Sequence, residues 1–413
     1  VAAFAWRVHW AGYPRQVELE LGGRLGTQVS IGSVRHGTPF ETEYDQLVLR
    51  REEGQAAGGV LAELMRFDRV KVVREPGRLT LRAEGLALNS GDLASGVDTL
   101  LGLAGRVARE GERLDMSCPE VKLAVRGSEG DIRRSVGAVV AVGRVENGLS
   151  LSTSFEAVAG DPSCRCELTL RRQAARGDSL TTCHLKTVEG SVPIDLLESL
   201  IETRGWTGER ARFAGSLTFT KAGAAPWELT VRGRIERLDL DALVRTRFPG
   251  VQIRGEADLE IDEARWGTLM YGQGRGWNIA RGCLRVRAGT LDSVLLDGLA
   301  KEMGFQVSRP GVRNPTELDF EALALNFDLE GSGELRITGA LGEEYPRNAV
   351  LVGRHDSGLL VRAPDDPATV RGLWKALFPL GADVLVPATA ESGVMRHLPL
   401  PLTRHAAQAA VAN

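Results

Sequence analysis

The segment WELTVRGRIERLDLDALV, residues 227–244, changes its hydrophobic period halfway. Trp227, Leu229, Val231 and Ile235 alternate with Glu228, Thr230, Arg232 and Arg234, which puts one set on each face of a strand. Leu238, Leu240, Leu243 and Val244 then follow at helical spacing, so the pattern predicts a strand that hands over to a short helix. Comparable strands recur along the chain. RLTLRAEG, ELTLRRQ, ELTVRGR, CLRVRAG, ELRITGA and GLLVRAP share one apolar–polar–apolar phrase, at uneven spacing that argues against a solenoid of copied repeats. Glu75-Pro76-Gly77 and Asn147-Gly148 read as hairpin turns.

Helical periodicity is confined to short stretches. SGDLASGVDTLLGLAGRVAREG, near 90–111, carries Leu93, Val97, Leu100, Leu101 and Ala104 on one stripe. VPIDLLESLIETRG has Pro193 in its first turn. LDLDALVRTRF, LDSVLLDGLAKEMG and DPATVRGLWKALF complete the set, and YPRQVELELGGR is ambiguous between helix and strand. Roughly fifteen or more alternating strands make a long apolar surface, with about five helices to cover it. Two arrangements follow: the faces pack on each other as a sandwich or closed barrel, or they line an open trough. Four segments are expected: 1–13 as the end of a membrane anchor or a linker, 14–190 and 191–380 as two β-rich halves, and 381–413 as a tail of low structural signal.

Composition narrows the function classes. With 51 basic and 54 acidic residues, the chain lacks the basic excess of a nucleic-acid binder. Glycine is abundant at 49, in keeping with many turns. No apolar run reaches the roughly 18 residues of a spanning helix. The opening VAAFAWRVHWAGYPRQ, with Trp6, Arg7, Trp10, Tyr13 and Arg15, resembles the interfacial flank of such a helix; an arbitrary starting point explains it equally.

Signatures of catalysis are missing. No Gly-Lys pair exists for a phosphate loop, and there is no G-x-S-x-G or H-E-x-x-H. The glycines at 272, 274 and 276 read as a sheet bend rather than a phosphate cradle. Cys164, Cys166, Cys183 and His184 could supply zinc ligands, but adjacent Cys and His on a strand point to opposite faces. A disulfide from Cys183 to Cys164 or Cys166 is a second reading and free thiols a third, so the redox state of these and of Cys118 and Cys283 stays open. Asp239 and Asp241 read as helix-start residues. The expectation is a non-enzymatic protein with no catalytic residue, metal or cofactor.

YPRQVELELGGRLGTQVSIGSVRHGTPFETEYDQLVLRREEG resembles the start of AsmA-like proteins after their membrane anchor, with Leu25-Gly26, Val29, Ile31, Val34, Leu47 and Leu49 in the matching places. ELTVRGRIERLDLDALV, CLRVRAGTLDSVLLDGLAKEMGF and ELDFEALALNFDLEGSGELRITGAL are similar to that family's C-terminal region. The chain departs from the family in lacking a full anchor and in being shorter than its large bridge-forming members. The resemblance implies a mainly β fold with a few short helices: an elongated, curled antiparallel sheet forming a β-groove. It implies a periplasmic protein anchored to the inner membrane of a diderm bacterium through an N-terminal segment. The implied function is phospholipid binding or transfer, or outer-membrane assembly. Its partners would be phospholipid or another acyl-chain lipid, and an envelope protein. The groove candidates are Leu217, Phe219, Leu229, Val231, Leu259, Ile261, Leu284, Val286, Leu335 and Ile337. One competing function is an adaptor that binds a polypeptide along the sheet edge or groove. Another is an enzyme using Cys164, Cys166 and His184.

Overall fold

The computed structural model describes residues 12–38, 40–53, 60–89, 106, 112–127, 130–145, 148–156, 161–175, 178–194, 207–245, 251–268, 275–309, 316–354 and 357–377. Residues 1–11 of the expected anchor or linker at 1–13, most of the 90–111 helix, the helical run at 195–205 and the tail at 381–413 lie outside these residues. The chain divides into two compact units, Val1–Glu202 with Lys221–Ala225, and Thr203–Thr220 with Pro226–Asn413. The fold is mainly β, built on large antiparallel sheets that do not close into a barrel. Among the described residues, no helix is long and apolar enough to cross a membrane.

The first unit opens with helix α1 (Tyr13–Leu25). Glycine resolves the ambiguity of this stretch: Gly26 adopts φ 65° and returns its N–H to the Gly22 carbonyl at 2.8 Å, a left-handed stop that only a helix requires. Glu18 accepts from the Ile31 N–H at 2.8 Å, and the Tyr13 hydroxyl meets His36 Nε2 at 2.7 Å, which ties the helix to the strands behind it. These are β1 (Gln28–Ser30) and β2 (Ser33–Thr38), both paired with β3 (Glu41–Glu53), which pairs in turn with β4 (Val60–Glu75). Glu75 pairs with Arg78, leaving Pro76-Gly77 as a two-residue turn with Gly77 at φ 73°.

The next strand is broken into β5 (Arg78–Glu84) and β6 (Leu86–Asn89) by Gly85 at φ 64°. Its neighbour is broken into β7 (Arg113–Ser117) and β8 (Glu120–Gly127) at Cys118-Pro119. β5 pairs with β7, and β6 with β8, in parallel. These two ladders depart from the antiparallel expectation. A parallel pair needs a crossover, which is the work of residues 90–111 between them. The Arg106 guanidinium on that crossover donates to the Leu25 carbonyl at the end of α1. Antiparallel pairing resumes through β9 (Gly130–Val145), β10 (Gly148–Glu156), β11 (Arg165–Ala175) and β12 (Asp178–Thr187), followed by the two-residue β13 (Val192–Pro193). Gly148 already pairs with Val145, so the hairpin closes one residue earlier than the Asn147-Gly148 signal predicts.

The second unit is an antiparallel run of β14 (Arg212–Ala222), β15 (Glu228–Asp239), β16 (Ile253–Thr268) and β17 (Arg275–Asp292), continued by β19 (Glu317–Leu329). The short β18 (Gln306–Ser308) lies between β17 and β19 in sequence. β20 (Glu334–Gly339) and β21 (Ala349–Gly353) share β19, one on each half. β22 (Leu360–Arg362) joins β21 to β18, and β23 (Ala368–Thr369) pairs with β20. Two strands pass directly into helices, the first as its change of period predicts. At the end of β15, Asp239 accepts from the Asp241 N–H at 2.9 Å and starts α2 (Leu240–Arg245). At the end of β17, Asp292 accepts from the Val294 N–H at 2.9 Å and starts α3 (Ser293–Met303). Side-chain oxygens at these positions satisfy N–H groups that a helix start leaves open. The last described helix is α4 (Val370–Leu377).

Gly215 and Gly233 face each other across β14 and β15, both with positive φ (154° and 140°). A Cβ on Gly233 would stand 2.2 Å from the Ala214 carbonyl oxygen and 2.6 Å from the Gly215 Cα. Only glycine permits this approach. Gly233→Val should therefore cost about 3 kcal/mol, through strain and clash together. Urea unfolding checks this: a midpoint equal to wild type would mean that the hairpin relaxes freely.

Candidate functional site: one apolar face of the second sheet

Residues paired across an antiparallel ladder share a face. Register therefore assembles the candidate side chains into rows. Leu217 pairs with Val231, Val231 with Ala264, Ala264 with Ala280, Ala280 with Leu329 and Leu329 with Leu335. The next row runs from Gly215 through Gly233, Ile261, Gly282 and Phe327 to Ile337. A third joins Phe213, Ile235, Leu259, Leu284 and Leu325. On the other side of the first row stand Phe219, Leu229, Trp266 and Trp277. Val286 enters through its pairs Ala257 and Leu323. All ten residues singled out from the sequence thus lie on one face.

The opposite face is an ion-pair lattice. Glu263 receives Arg265 at 2.8 Å and Arg232 at 3.0 Å; hydrogen bonds from Arg265 and then Arg232 hold its carboxyl below the usual range. Arg281 meets Asp328 at 2.8 Å and Arg285 meets Glu260 at 3.2 Å. Each exposed pair contributes at most about 1 kcal/mol, so the lattice keeps this face wet more than it holds the sheet together.

The apolar face is unequally covered. Towards α3 and α4 it merges with a packed core: Val286, Leu291, Phe320, Leu335 and Ile337 cluster with Leu296, Met303, Phe305, Val370 and Ala376. Leu217, Phe219, Leu229 and Val231 are also buried. Leu259, Ile261 and Leu284 are only half-buried, as are Ile235, Leu325 and Phe327 beside them. Phe327 covers Gly282 in this stretch, since a Cβ there would lie 3.0 Å from the Phe327 ring tip. The aromatic ring shields backbone that glycine leaves bare.

Simple alternation misses the Trp266–Trp277 pair, whose rings meet edge to face with centroids 5.5 Å apart. Counting by two from Leu259 and Ile261 assigns Trp266 to the polar face. A register shift between Ile261 and Glu263 moves it over, and another between Arg265 and Trp266 lets Trp277 face it. Two tryptophans flanking a glycine-rich stretch of sequence were the available signal.

The cysteine constellation is not assembled. Cys183 pairs with Leu170 and Cys166 with Thr187, so neither stands opposite the other across the β11–β12 ladder, and no disulfide forms among the five cysteines. Of the readings offered for these cysteines, free thiols are the one the structure shows. His184 pairs with Thr169, on the other face from Cys183. Among the described residues, no group of three or more His, Cys, Asp or Glu side chains is placed to hold a metal ion. Comparison with protein-family models, with characterised proteins and with solved structures finds no match.

Burial pushes the Cys166 and Cys183 thiols up to about 12. Thiols so held are poor nucleophiles. As pH rises past their ordinary value of 9.0, the unfolded chain releases these protons while the folded one keeps them. Folding stability should therefore fall from about pH 9 upward through the folded values near 12. Urea midpoints across that window should drop less in the Cys166→Ala, Cys183→Ala double variant; identical slopes would disprove the assignment.

Proposed function

We propose that the second unit binds the acyl chain of a lipid along its apolar face. The observation that carries this reading is the half-buried stretch of Ile235, Leu259, Ile261, Leu284, Leu325 and Phe327, which extends along the sheet face from the packed core that all but Ile261 touch. Each methylene taken from water onto such a surface gains about 0.8 kcal/mol. Hydrocarbon needs no hydrogen-bond partner, which suits a face made of Leu, Ile, Phe and Gly. The resemblance to AsmA-like proteins supports the setting: the envelope of a diderm bacterium, on the periplasmic side of the inner membrane, in phospholipid transfer or outer-membrane assembly. The reading is non-enzymatic and needs no cofactor.

Protein purified with minimal detergent should carry lipid detectable by extraction and mass spectrometry. Ile261→Glu with Leu284→Glu should reduce that lipid at least tenfold, because a carboxylate against hydrocarbon costs more than the roughly 1.4 kcal/mol that a factor of ten represents. Arg234→Glu, on the exposed polar face, should leave it unchanged. A folded, monodisperse wild type without lipid would overturn the proposal and redirect the search to a polypeptide partner.

A further inference from the structure

The strands of the second unit have two unlike ends. β19 stops at Leu329, opposite Ala280, while β16 and β17 run on past it through the pairs Arg265–Ile279, Trp266–Trp277, Gly267–Gly276 and Thr268–Arg275. Three tryptophans gather on this stretch. Trp266 and Trp277 meet edge to face, and Trp227, which leads into β15, accepts at its carbonyl from Arg275. All three are half-buried, and Arg265 and Thr268 are exposed. From Ala264 to Leu291 the chain carries five arginines and no acid. Of the acids on neighbouring positions, Glu228 lies beside Gly267, and Glu263 is held by Arg265 and Arg232. At the other end of the same strands like charges face each other: Asp239 stands opposite Glu256, and Asp292 opposite Glu317.

Indole joins a broad apolar body to one N–H donor, so it settles where hydrocarbon meets water. Anionic lipid head groups attract cations and repel acids. The aromatic, acid-free end therefore suits a bilayer surface, and the end with paired acids does not. We propose that the β16–β17 end of the second unit docks on an anionic lipid bilayer, with Trp266 and Trp277 at the boundary between head groups and chains. The buried row of Leu217, Val231, Ala264, Leu329 and Leu335 stands between this end and the half-buried stretch. The docking surface is thus distinct from the acyl-chain site, and the inference goes beyond that reading.

Two labelled forms of the full chain test the assignment. Thr268→Cys, and Arg245→Cys on α2 at the opposite end, each offer a surface thiol to a nitrobenzoxadiazole label, while the five native cysteines are buried. On vesicles of equimolar phosphatidylcholine and phosphatidylglycerol, the label at 268 should shift to the blue and be quenched by spin-labelled lipid. The label at 245 should do neither. In unlabelled protein Thr268→Glu should weaken vesicle binding about fivefold, the effect of one charge beside an anionic surface. The same variant should keep the lipid carried through purification, which reports on the acyl-chain site alone, so either reading can fail without the other. Vesicle binding with the label at 268 silent, or with equal responses at both positions, overturns the docking assignment. Absence of vesicle binding overturns it as well and gives this end to a polypeptide partner.

Discussion

Cross-strand register is the constraint on which the rest of this protein depends. A strand's side chains alternate strictly, so a slip of one residue exchanges its two faces. In the second unit Arg232 to Glu263 and Arg281 to Asp328 lie on one side of the sheet, and Val231 to Ala264 and Ala280 to Leu329 on the other. Each ladder excludes the slipped alternative, because a slip would bury arginine among leucines. Individually weak ion pairs thereby act through specificity more than through stability. The irregularities at Ile261/Glu263 and Arg265/Trp266 are the controlled exceptions, and they bring two tryptophans onto the apolar side.

Covering an apolar sheet face takes side chains from elsewhere, and this chain supplies them unevenly. α3 and α4 contribute Leu296, Met303, Val370 and Ala376 to one region. Aromatic rings of the sheet itself cover glycine backbone within and beside that core. Phe327 lies over Gly282, and Phe320 lies over Gly289, where an added Cβ would be only 2.6 Å from its ring tip. Such pairs protect glycine backbone without building a second layer. The leucines between them, Leu284, Leu323 and Leu325, stay half-buried.

Much of this was legible in residue order. Alternation located β14 to β17, β19 and β20, and the change of period at Leu238 anticipated a strand running straight into a helix with Asp239 at its start; the equivalent start at Asp292 was not read from the sequence. The common face of the ten apolar candidates also follows from alternation, because each pair lies within one regular stretch. Bulges were not legible, since they depend on which partner residue is skipped; that is why Trp266 and Trp277 were passed over. Pairing partners were equally hidden. Nothing local in RLTLRAEG or EVKLAVRG distinguishes a parallel neighbour from an antiparallel one, and the cysteines at 166 and 183 look close on paper because their offset is invisible before the ladder is known.

The parallel ladders bear on how the first unit comes to be made. β8 and β9 are joined by a tight turn and can zip as soon as both have been synthesised, as can β3 and β4 across their own connection. β5 and β7 have no such shortcut: they are far apart in sequence, so chain-closure entropy is spent before any contact repays it. On an emerging polypeptide the two hairpin blocks would then exist as separate islands, each with a bare edge, until these parallel pairings form. The arginine that fastens the crossover to the end of α1 stands where this late event takes place. Completion of the first sheet, more than the stability of any one strand, sets the interval during which the nascent chain is exposed to misassembly.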